Sequence, residues 1–66
     1  MKVVLNGRER EVPEGATVLA LLEEAGIDRG RVAVEVNREV VPKTRHGERR
    51  LAAGDRVEIV TMVGGG

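Results

Sequence analysis

No phenylalanine, tyrosine, tryptophan or cysteine occurs anywhere in the 66 residues of this chain. Any core must therefore be assembled from valine, leucine, isoleucine and alanine, with no aromatic bulk and no disulfide or thiolate-held metal as a staple. At this length one small domain is all that fits, near the size at which an aliphatic core just sustains folding. The hydrophobic share of 41% supports such a core and is too high for a disordered chain. The absence of cysteine excludes iron–sulfur clusters and a cysteine nucleophile, and it fits a reducing cytoplasm. The absence of aromatics removes stacking platforms for bases. Basic and acidic residues balance at 11 each, so the chain lacks the footprint of a nucleic-acid binder. No apolar run approaches a membrane span, and the first residues lack the apolar stretch of a signal peptide. A cytoplasmic protein with neither nucleic-acid nor membrane partners is expected.

Residues 2–6 read as a strand that ends in the hairpin signal Asn6-Gly7, so residues 8–12 return antiparallel. Val3 and Leu5 then share a face with Arg8, Arg10 and Val12, while Val4 faces the other way. Arg10 occupies an apolar position, which suits a stem lying along the sheet edge with its head in water. Thr17 is placed to cap a short helix over 18–25, in which Val18, Leu21, Leu22 and Ala25 recur at helical spacing. Gly26 suits the residue past its end, and Ile27 can pack back on Leu22. Residues 32–36 alternate as a strand that buries Val32, Val34 and Val36. Asn37-Arg38-Glu39 turns the chain into a short extended piece, Val40-Val41-Pro42. Residues 43–50 are polar, basic and poorly patterned, and predict a loop or a 3₁₀ turn, with Leu51 anchoring its end. After Gly54-Asp55, residues 56–62 form the last strand.

A hairpin, a helix, a strand, a long loop and a final strand have one natural packing. The helix crosses one face of a mixed sheet, and the first and last strands lie side by side in parallel, each crossover being long enough for that pairing. The expected fold class is α+β: a β-grasp (ubiquitin-like) domain with a four- to five-stranded mixed sheet and one helix packed on one face. It spans residues 1–63, with 64–66 as a flexible C-terminal glycine tail.

That tail is the first functional candidate. Gly64 and Gly65 carry no side chain, so they can thread a narrow channel, and Gly66 offers an α-carboxylate with nothing beside it to block attack. The second candidate is the uncovered face of the sheet, where Val4, Val60 and Met62 are expected to cluster within a rim of Lys2, Glu35 and Glu58. With Val63 at the tail's root they would form a docking surface that points the tail into a partner. The domain offers no catalytic machinery. His46 is a solitary loop histidine, read as plain surface, with no carboxylates at metal-ligand spacing. Lys43, Arg45, Arg49 and Arg50 make a basic loop, read as solvated or as a contact for an acidic or nucleotide-binding partner.

The hairpin at Asn6-Gly7, the helix from Thr17-Val18 through Leu21-Leu22, Val36-Asn37, Val40-Val41-Pro42, Gly54-Asp55 and the terminal Gly65-Gly66 together resemble the ThiS family of thiamine-biosynthesis sulfur carriers, along the whole chain. The pattern departs at His46, where a large aromatic such as tryptophan is expected in several relatives, and at Arg10, where an apolar residue is expected. The resemblance implies a carrier that is not itself an enzyme and binds no cofactor. An E1-like enzyme similar to ThiF would use ATP and Mg2+ to adenylate the Gly66 carboxylate. Sulfur from a persulfide donor would then displace AMP, and the resulting thiocarboxylate would supply a thiazole synthase similar to ThiG. A small sulfur-carrier subunit for molybdopterin or another sulfur-containing metabolite, a ubiquitin-like protein modifier and a plain interaction domain remain the alternatives.

Overall fold

In the computed structural model, which describes residues 1–62, a five-stranded sheet in the order β2-β1-β5-β3-β4 carries one α-helix on one face. β1 (Lys2–Leu5) and β2 (Arg8–Glu11) are antiparallel around Asn6 and Gly7, both at positive φ (48° and 83°), as a two-residue type I′ turn requires. β3 (Val32–Val36) pairs with β4 (Glu39–Val41) through a second two-residue turn, Asn37-Arg38, also at positive φ. β5 (Arg56–Thr61) lies between them, parallel to β1 and antiparallel to β3. The outermost strand β2 reads Arg-Glu-Arg-Glu, a charged edge that resists pairing with another chain. Arg10 stands opposite the fully buried Val3 and reaches Glu24 on the helix at 3.8 Å, so its stem covers apolar surface while its head stays at the rim.

The helix α1 runs Val18–Glu24 and buries Val18, Leu21 and Leu22. Thr17 Oγ1 accepts from the Ala20 N–H at 3.1 Å. At the other end Gly26 (φ 73°) donates to the Glu23 carbonyl and Ile27 donates to the Leu22 carbonyl, a Schellman closure. Eleven aliphatic residues form the core, eight of them valine, drawn from β1, α1, β3, β4, β5 and the segments after β2 and before β5.

His46 belongs with that core. It is 1% exposed and is one of the largest fully buried side chains, which corrects the expectation of a surface histidine. The cause lies in the backbone. Residues 43–50 contain a single 3₁₀ turn, Lys43–Arg45, and then fold against the start of the helix. The Val18 N–H donates to the Arg49 carbonyl and the Leu19 N–H to the His46 carbonyl, both at 2.9 Å. Helix N–H groups that have no intrahelical acceptor are thereby satisfied from a distant loop, and the loop is drawn inward. The imidazole fills the core there. Its Nε2 lies 3.1 Å from the Val41 carbonyl, while Nδ1 is buried without a partner.

A second polar knot surrounds the buried Asp55. Asn37 Nδ2 donates to Asp55 Oδ1 and Asn37 Oδ1 accepts from the Arg56 N–H, both at 3.0 Å, while Asp55 Oδ2 accepts from the Ala52 N–H at 2.8 Å. These bonds hold the second turn in a conformation that a non-glycine pair rarely adopts.

Candidate functional site

β5 is the strand that leads toward the terminal glycines, and it is held from both sides. On the β3 side its pairing continues one residue past the strand, where the Met62 N–H donates to the Arg31 carbonyl at 2.8 Å. On the β1 side the neighbouring strand turns away at Asn6, yet the Asn6 side chain continues the ladder by accepting from the Ile59 N–H at 2.8 Å. The chain therefore stays in the sheet through residue 62, at the pole formed by the start of β3 and the end of β4. Val63, Gly64, Gly65 and Gly66 lie outside the described residues.

The uncovered face differs from the expected single cluster. Val60 (58% exposed) and Met62 (51%) are there, two residues apart on one strand line. Val4 is not beside them. The register sets Val4 against Arg56 and sets Val60 against Ala33, four residues further along β5, or roughly 13 Å. Val4 is also only partly exposed and is flanked on its other side by Glu9. The hairpin turn ends β1 too early for a longer pairing, and this splits the patch. The larger exposed hydrophobe on the face is Val40 of β4, at 69%. It stands across Glu35 from Glu58 and was absent from the expected set. The Val40-Val41 pair carried the signal, because two successive strand residues face opposite sides and Val41 is the buried one.

The basic segment is divided in the same way. His46 leaves it for the core, while Lys43, Arg45, Arg49 and Arg50 stay at its surface. Lys43 Nζ donates to the Gly30 carbonyl at 2.8 Å, Arg45 pairs with Glu48 at 3.7 Å, and the Arg49 guanidinium donates to the Arg50 carbonyl. Among the described residues no three His, Asp or Glu side chains gather as metal ligands, and no helix is long and apolar enough to cross a membrane.

This sheet order, with one helix on one face and a central final strand, defines a β-grasp domain of the ubiquitin-like kind. The crystal structure of the thiamine biosynthesis protein ThiS from Geobacter metallireducens superposes with a TM-score of 0.87 at 30% identity, each chain covered in full. The sequence matches the ThiS family over residues 3–66, and the chain belongs to that family. It is 41% identical to the sulfur carrier protein ThiS of Thermus thermophilus over 97% of this chain and 98% of that one. It is also 48% identical over its whole length to part of a thiazole synthase of Paramagnetospirillum magneticum. The chain spans only 20% of the length of that protein, and likewise 20% of a thiazole synthase from Magnetococcus marinus.

Proposed function

We propose that this chain is a sulfur carrier of thiamine biosynthesis and that its working group is the Gly66 carboxylate. The observation that carries the reading is the extent of the family match, which runs to residue 66 and so includes the glycine end. The folded body serves as an address. The carboxylate is a poor electrophile at neutral pH. In an adenylating enzyme that uses ATP and Mg2+, its oxygen attacks the α-phosphorus of the nucleotide and pyrophosphate leaves. In the acyl-adenylate AMP is a good leaving group. The outer sulfur of a persulfide donor displaces AMP to form an acyl disulfide. A second thiol then cleaves its S–S bond, ending in a disulfide with the donor sulfur and releasing Gly66 as a thiocarboxylate. Three extended glycines reach about 10 Å, enough to enter a buried pocket, and the lack of side chains lets the channel walls close and exclude water. A thiazole synthase consumes the sulfur. Relatives in which this domain forms one fifth of a chain named thiazole synthase support that partner. Val60 and Met62, with Val40 across the sheet, supply the apolar contact by which partners grip the body.

The test is intact-mass measurement after incubation with ATP, a persulfide donor, a thiol reductant and the adenylating enzyme. Conversion adds about 16 Da, sulfur for oxygen. Deleting Gly66, or making Gly65→Trp, abolishes the gain while the circular dichroism spectrum stays unchanged. A truncated chain that still supports thiazole formation refutes the reading. Val60→Asp weakens capture by the partner, with stability altered by about 0.5 kcal/mol or less, as for an exposed site.

A further inference from the structure

The chain carries two side-chain amides, Asn6 and Asn37, and no glutamine. Each opens a two-residue turn at positive φ, yet the two amides are held very differently. Asn37 is engaged at both ends, its Nδ2 donating to Asp55 Oδ1 and its Oδ1 accepting from the Arg56 N–H, each at 3.0 Å. The residue after it is Arg38, whose Cβ and long side chain flank the next peptide nitrogen. Asn6 is engaged at one end only. Its Oδ1 accepts from the Ile59 N–H at 2.8 Å, while Nδ2 has no acceptor among the described residues. The residue after it is the exposed Gly7, whose N–H also has no acceptor among the described residues. A Cβ placed on Gly7 meets nothing within 4 Å, so the space around this part of the turn is open.

We infer that Asn6 is a site of spontaneous covalent modification, the place at which this chain deamidates. The Gly7 peptide nitrogen gives up its proton to hydroxide and attacks Asn6 Cγ, unhindered by any side chain of its own. A Cγ–N bond forms, the Cγ–Nδ2 bond breaks, and the exposed Nδ2 takes up a proton and leaves as ammonia. The Ile59 N–H faces the oxygen on which negative charge builds during the attack, as a donor to a developing oxyanion does. The resulting succinimide adds one water. Opening at Cγ leaves aspartate at position 6, and opening at the main-chain carbonyl leaves isoaspartate, with one extra methylene in the backbone. Asn37 is spared, because Asp55 holds its leaving nitrogen and Arg38 crowds the nucleophile. The two products differ in what they do to the sheet. Aspartate keeps an oxygen for the Ile59 N–H. Isoaspartate lengthens a turn whose two-residue length sets the β1–β2 register, and β5 loses its rung on the β1 side.

The experiment incubates the full folded chain at mildly alkaline pH and follows its intact mass, with fragmentation to locate the change and an isoaspartate-specific methyltransferase to label the product. The mass rises by about 1 Da, oxygen and hydrogen replacing the amide group. The change lies at Asn6, which converts about tenfold or more faster than Asn37. In the isoaspartate fraction, hydrogen exchange at the Ile59 amide quickens by about tenfold or more, whereas freshly prepared Asn6→Asp keeps the protection of the unaltered chain. A folded chain of constant mass, beside a urea-unfolded sample that converts at Asn6, overturns the inference, since the fold then shields the amide. Equal conversion at Asn37 overturns it as well. Unchanged exchange at Ile59 in the isoaspartate fraction overturns the loss of the rung. None of these results bears on the carrier reading, which stands on the loading of Gly66.

Discussion

The two ends of α1 are closed in opposite ways. Its C-terminal end is closed by its own sequence neighbours, Gly26 and Ile27, within three residues of the last helical position. Thr17 closes its N-terminal end only in part. The N–H groups of Val18 and Leu19 depend on carbonyls of Arg49 and His46, more than twenty-five residues further on. One end is a local device that forms with the helix. The other exists only when the loop, β4 and the core are all in place, so it ties the helix to the far side of the sheet. The comparison teaches that in so small a domain a loop of polar residues can do structural work usually assigned to the core.

That contrast is open to measurement by thermal and urea unfolding. His46→Ala is the largest expected loss. It empties a fully buried site and frees the loop, and should cost about 3 kcal/mol, with roughly 4–8 °C of melting temperature for each kcal/mol in a domain of this size. A surface histidine would change stability by no more than about 0.5 kcal/mol, so a small effect would break the account of the N-terminal closure. Gly26→Ala tests the other end. A Cβ there meets nothing within 4 Å, so only the positive φ of 73° opposes it, and the expected loss is about 1–2 kcal/mol. Should Gly26→Ala prove the more damaging, the local end would be the stronger tie. Thr17→Ala is the smallest, at about 0.5–1 kcal/mol. Only the Ala20 N–H loses its acceptor, because the two N–H groups before it are served from the loop.

The same division explains what the residues alone disclosed. The turn at Asn6-Gly7, the Thr17 cap, the Gly26-Ile27 closure and the burial of Val32, Val34 and Val36 were all legible, because each depends on residues within a few positions of one another. The order of elements then selected the sheet arrangement, including the parallel pairing of β1 with β5. His46 was misread because its burial depends on helix N–H groups that only tertiary folding presents to its loop. The bonds from Asn37 to Asp55 and Arg56 were invisible for the same reason, since they join residues about eighteen positions apart. Alternation placed Val4 and Val60 on the same face correctly, but the stagger between β1 and β5 is a register that no pattern encodes. Val40 needed only the alternation argument applied to its neighbour.

The placement of β5 has a mechanical consequence. A pull on the C-terminus runs along the strand direction, so it loads the ladders to β1 and β3 in shear, with their hydrogen bonds strained together rather than peeled one at a time. A partner that pulls on the end of β5 can therefore exert force on this domain without unravelling it.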